Sequence, residues 1–156
     1  MKMIKRFLVA GAALALLAPA SASATPSAAA EGVNWRIKCQ AKDPKGRLIV
    51  VRYGNSKFGW NHFSGKHNIR NCGVINAATR DKADKVEGAR LEYWAYALRN
   101  NDPNTRVRIV VVVQYARQTN GKPPPILTAP RGETIGVITA YCKNQKNNKC
   151  PNWVNE

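Results

Sequence analysis

The stretch Arg106–Gln118, RVRIVVVVQYARQ, decides the fold. β-Branched residues fill almost every position from Val107 to Val113. Such side chains lose rotamer freedom in a helix and pack well on a pleated surface, so this is a strand. Its neighbours follow from turn chemistry. NNDPNT at 100–105 reads as a turn, and Ala89–Arg99 before it has strand character, which makes a hairpin. After it, TNGKPPPILTAPRG at 119–132 carries four prolines and is expected to run extended over the surface into a last strand, Glu133–Lys143. Upstream, Asn71 can cap a helix from about Cys72 to Glu87, with Val74, Ile75, Ala78 and Val86 as its apolar stripe and Gly88 ending it. FGWNHFSGKHNIRN at 58–71 holds Gly59 and Gly65, so any helix there is short or broken. A first hairpin is formed by Trp35–Gln40, a turn at Asp43-Pro44-Lys45-Gly46, and Arg47–Tyr53. The fold class is therefore α+β, with one or two short helices on an antiparallel sheet preceded by a hairpin.

The start of the chain belongs to another function. MKMIKR is cationic, Phe7–Ala18 is apolar, and Pro19 leads into small residues: the order of a secretory signal peptide over residues 1–24. The apolar run is too short for a bilayer that needs about 20 residues, so no membrane span is expected once the signal is removed. Cleavage falls after Ala24 or, as a rival, after Ala22. Residues 25–32, TPSAAAEG, lack periodicity and read as a disordered lead-in to a single basic domain over 33–156.

Four cysteines follow the signal, an even count that favours two disulfides in an exported chain. Three pairings exist on paper. The polar run Lys143–Lys149 is a loop that a Cys142–Cys150 bridge would pin, leaving Cys39–Cys72 to tie the first strand to the helix. A zinc site is disfavoured, because no CxxC occurs and both histidines lie in another segment. Neither a metal nor any other cofactor is expected.

The net charge is +16, and loss of Lys2, Lys5 and Arg6 with the signal leaves +13 on the mature chain. An excess of this size on a small domain points to a polyanionic partner: nucleic acid, an envelope polymer or an anionic membrane surface. His62 and His67 are the two histidines of the chain. Five residues apart, they sit about 140° apart on a regular helix, which argues against an i, i+4 metal pair. A bend near Gly65 would bring them together for acid–base work, since imidazole both takes and gives a proton near neutral pH. On the last strand, alternation puts Ile135, Val137, Thr139, Tyr141 and Lys143 on one face, lining up a hydroxyl, a phenol and an ammonium. An antiparallel register would bring Arg106 and Arg108, rather than Arg117, to that end.

Two segments carry a family resemblance. Gly59-Trp60-Asn61-His62-Phe63-Ser64-Gly65-Lys66-His67 resembles the G-W-x-H-hydrophobic-x-x-x-H segment of bacterial toxin ribonuclease domains of the barnase, EndoU, colicin and RelE-like superfamily. Gly136-Val137-Ile138-Thr139-Ala140-Tyr141 is similar to the T-A-Y strand near the end of those domains. The resemblance spans Lys57 to Lys143 and implies a meandering antiparallel sheet. It implies His62 and His67 as acid–base residues and Thr139 and Tyr141 as groups contacting the scissile phosphate or orienting the base. Arg108 would offset phosphate charge, with Lys143, Lys66 and Trp60 as further substrate-binding residues. The expected activity is metal-independent cleavage of RNA, tRNA included, to a 2′,3′-cyclic phosphate by a secreted enzyme, with a cognate immunity protein as a second partner. Two other readings predict different behaviour. One is a non-enzymatic basic module binding nucleic acid or an envelope polymer through Lys, Arg, Trp60, Trp94 and Tyr96. The other is a secreted inhibitor that binds through residues 119–132 or 143–149.

Overall fold

A computed structural model of the chain describes residues 32–121 and 126–156. The expected signal peptide lies outside the described residues, as do residues 25–31 of the lead-in and 122–125 of the proline-rich loop. Strands β1 (Asn34–Lys42) and β2 (Leu48–Gly54) form an antiparallel hairpin. Its turn is held by the Asp43 carboxylate, which accepts from the backbone N–H groups of Lys45 and Arg47. Helices α1 (Gly59–Lys66) and α2 (Cys72–Thr79) follow, then β3 (Lys85–Glu87), β4 (Arg90–Arg99), β5 (Asp102–Gln114) and β6 (Gly136–Lys143). These four strands form a second antiparallel sheet in the order β3-β4-β5-β6, a meander. The class is α+β, as read from the sequence. Short 3₁₀ turns at Lys146–Asn148 and Asn152–Asn155 close the chain.

The central strand buries Val107, Ile109, Val111 and Val113 against Leu91 and Tyr93 of β4, Val74, Ile75 and Ala78 of α2, Phe63 of α1, and Ile49 and Val51 of β2. A second cluster gathers Phe58, Leu127, Ala129, Ile135 and Ile138. Both bridges are those preferred from the sequence. Cys39–Cys72 joins β1 to the start of α2, and Cys142–Cys150 joins the end of β6 to the C-terminal segment. No described helix is long and apolar enough to cross a membrane.

Four boundaries depart from the expectation. Helix α2 is capped by Asn71 as expected, its side chain accepting from the Gly73 N–H, but it stops at Thr79 instead of Glu87. Past Ala78 no apolar residue returns at helical spacing until Ala83. The Thr79 hydroxyl bonds back to the Ile75 carbonyl, the Asp84 carboxylate takes the Trp94 N–H, and Val86 pairs with Leu91 as strand. The hairpin turn shrinks from six residues to Asn100-Asn101, both left-handed with φ of 51° and 58°. Strand β5 ends at Gln114, and Arg117 beyond it donates to the Ala129 carbonyl.

The fourth departure shapes the site. Strand β6 begins at Gly136, and its register against β5 shifts between Val112↔Thr139 and Val113↔Val137, a bulge at Ile138. Simple alternation across Val137, Thr139 and Tyr141 therefore fails. Val137 joins the main core opposite Val113, whereas Thr139, Tyr141 and Lys143 emerge on the other face of the sheet.

Candidate active site

Alternation leaves one face of the meander free of the main core, and the register assigns its side chains to rows. Tyr96, Arg108 and Lys143 form one row across β4, β5 and β6. Trp94, Val110 and Tyr141 form the next, then Glu92, Val112 and Thr139, then Arg90, Gln114 and Gly136. Directly facing residues in such rows have Cβ atoms about 4.5–5.5 Å apart. Val110 and Val112 are buried, yet neither belongs to the apolar clusters, so the larger polar and aromatic side chains beside them make up the outer layer. Glu92 accepts from the Trp94 indole N–H, and the Arg108 guanidinium lies over the Trp94 ring, 4.9 Å from its centroid.

The histidines meet this face from the side. Helix α1 runs through Gly65 without a bend, so the expected hinge is in the wrong place. It ends at Lys66, and His67 is the first residue to leave helical geometry, followed by Asn68 with φ of 59°. That exit turns His67 back, leaving the His62 and His67 rings 5.4 Å apart and the His67 ring 5.8 Å from that of Tyr141. The C-terminal segment fixes the exit. The Cys150 N–H donates to the His67 carbonyl, the Asn68 amide to the Cys150 carbonyl and to Asn152 Oδ1, and the Asn155 amide to the Asn68 carbonyl. The Cys142–Cys150 bridge ties the same segment to β6 beside Tyr141.

His67 is 7 % exposed. Burial lowers its pKa below the usual imidazole value, the charges of His62 and Lys66 lower it further, and the backbone at Asn148 and Asn147 opposes them. His67 is thus neutral at pH 7, and its Nδ1 has no hydrogen-bond partner. His62 Nδ1 lies 2.8 Å from the Ser56 carbonyl. A carbonyl only accepts, so Nδ1 carries the proton and Nε2 is left to exchange one. Burial raises the Tyr141 pKa, as does the Glu92 carboxylate, against the opposing charges of Arg108 and Arg90. The phenol therefore stays protonated as a donor. Thr139 Oγ1 adds a hydroxyl that is buried and without a partner. The face thus offers a neutral imidazole, a second imidazole, two hydroxyl donors and fixed cations within a few side chains of one another.

Six of the eight residues singled out from the sequence lie together: His62, His67, Thr139, Tyr141, Arg108 and Lys143. Lys66 is the last residue of α1 and acts on His67 through its charge. Trp60 does not join them; it packs on the main core, edge-on to Phe63, with Lys38 over its ring. Glu92 and Arg90 were missed. Their signal was the alternation in Arg90–Arg99, where Leu91, Tyr93, Ala95 and Ala97 interleave with Arg90, Glu92, Trp94 and Tyr96. Among the described residues no group of three or more His, Cys, Asp or Glu side chains is placed to hold a metal ion. No protein-family model matches the chain, and no curated protein matches it.

Proposed function

We propose that the protein is an exported endoribonuclease that cleaves RNA by transesterification, leaving a 2′,3′-cyclic phosphate, as the resemblance to toxin ribonuclease domains implies. The observation that carries this reading is His67: an imidazole kept neutral by burial, its buried Nδ1 without a hydrogen-bond partner, beside Tyr141 and His62 on a basic sheet face. His67 takes the 2′-hydroxyl proton. The 2′ oxygen then forms its bond to phosphorus while the bond to the 5′ oxygen breaks, and protonated His62 gives that oxygen its proton through Nε2. Tyr141 and Thr139 donate to the phosphoryl oxygens, and Arg108 with Lys143 offsets the added charge. DNA lacks the attacking group and is not a substrate.

The test is cleavage of total RNA and tRNA in the presence of EDTA. His62→Ala and His67→Ala are each expected to lower the rate by about 10²- to 10⁴-fold with folding unchanged by circular dichroism. If wild type binds RNA but cuts none across a range of substrates, a binding module replaces the enzyme. Cleavage that survives both substitutions would remove this site.

A further inference from the structure

Beyond the histidines, the row Tyr96–Arg108–Lys143 opens into a cleft of about 260 Å³ that Arg106, Asn144 and Gln145 complete. We infer that this cleft is a nucleotide subsite flanking the scissile bond, taking the next phosphate and an unpaired base of a single-stranded RNA. The inference rests on the ribonuclease reading for the name of the scissile bond, but the cleft's own chemistry points to a nucleotide.

Three cations and no acidic residue line it, so its charge is uncompensated within the cleft. The Arg106 guanidinium lies 3.6 Å from the Tyr96 ring centroid, and Tyr96 is 48 % exposed. A guanidinium laid on an exposed ring makes a wide, flat, cationic platform, the kind of surface on which bases stack irrespective of sequence. Asn144 and Gln145 add amide groups, each able to donate and accept, at the cleft's edge. The spacing also suits a chain of phosphates. Arg108 and Lys143 stand one row from Tyr141, about 7 Å at strand rise, which is within reach of one nucleotide step. A duplex cannot present an unstacked base to such a platform, so the ligand is single-stranded or looped RNA.

The experiment measures binding of a 2′-O-methyl oligonucleotide, which cannot be cleaved by this route, to the purified protein by fluorescence anisotropy at several salt concentrations. Polyphosphate of similar charge serves as the comparison. Arg106→Ala is expected to weaken oligonucleotide binding on the order of tenfold and to flatten the salt dependence by about one phosphate's worth. Tyr96→Ala is expected to lose on the order of tenfold for the oligonucleotide and little for polyphosphate, with Tyr96→Phe restoring the loss. Wild-type affinity in both alanine variants overturns the subsite. An equal loss on polyphosphate in Tyr96→Ala overturns its assignment to a base. If the variants lose binding as expected while wild type cuts no RNA, the subsite stands and the catalytic reading falls.

Discussion

His67 can be a cation only by placing charge in a buried position between His62 and Lys66, and this sets both its chemistry and its pH dependence. In the proposed reaction the base must be neutral, so the acid limb of the kcat/KM profile should fall with a midpoint below the usual imidazole value of about 6.5. Lys66→Ala removes a cation that disfavours imidazolium; the His67 pKa then rises, and the acid limb moves to higher pH. A profile unmoved by Lys66→Ala, or an acid limb centred above 6.5, would remove His67 as base. The same shift bears on stability. The unfolded chain binds this proton at higher pH than the folded one, so the contribution of neutral His67 is present above about 6.5 and is lost as pH falls through the folded value. Thr139 gives a separate test, because its buried Oγ1 has no partner. Thr139→Val should leave the free protein as stable or up to about 1 kcal/mol more stable in thermal unfolding. It should nonetheless lower RNA cleavage by tenfold or more, since in the proposed reaction the hydroxyl finds its partner on the phosphoryl group. A parallel loss of both quantities would give Thr139 a structural role alone.

The segment that follows β6 works as a clamp on His67, and the Cys142–Cys150 bridge is its anchor. The two cysteines are 8 residues apart, so the bridge contributes about 2.5 kcal/mol through the unfolded chain. Replacing both with alanine should lower stability by about that much. The larger effect should be on kcat, at a temperature where the variant remains folded, because the exit of α1 loses its tether to β6. A variant with normal kcat and only reduced stability would show that the backbone bonds of Cys150 and Asn68 suffice. Of this clamp only the Cys142–Cys150 bridge was legible in the sequence, where residues 143–149 read as a polar loop it would pin; the backbone and amide bonds to His67 and Asn68 were not. Those bonds join residues more than 80 apart in the chain, and local pattern carries no such information. Strands β1, β2, β4 and β5 were legible because β-branched runs and turn residues specify them locally. The bulge at Ile138 was not, since the close packing of Gly136 against Val50 fixes the start of β6 from a different sheet: a Cβ at Gly136 would lie 2.1 Å from the Val50 carbonyl oxygen. Alternation alone put Thr139 with Val137, and tertiary contact separated them. Likewise the closeness of His62 and His67 was legible but its hinge was misplaced, because α1 runs through Gly65 and the chain turns at His67 and the left-handed Asn68.

At the scale of the molecule, charge and covalent ties are divided between two jobs. The chain carries 25 Lys and Arg against 9 Asp and Glu, and three of those acids are already in ion pairs at Arg47–Asp43, Arg52–Glu133 and Lys85–Glu87. On the outer sheet face Glu92 shares the rows with Arg90, Arg108 and Lys143, and Arg106 lies over Tyr96 at their end, so that face bears a net positive field toward a polyanion. The Cys39–Cys72 bridge touches none of these groups. It closes 33 residues of chain, β1 to α2, and so binds the separate β1-β2 hairpin to the helix that covers the meander. In the chain-entropy account a loop of that length is worth about 3.7 kcal/mol, more than the shorter Cys142–Cys150 loop. The two bridges should therefore separate in experiment. Replacing Cys39 and Cys72 together with alanine should cost the greater stability in denaturant unfolding, on the order of 3–4 kcal/mol, while the molecules that remain folded turn over RNA at the wild-type kcat. A fall in kcat without loss of stability would place the hairpin within the catalytic assembly and would join two parts of the molecule that the fold keeps distinct.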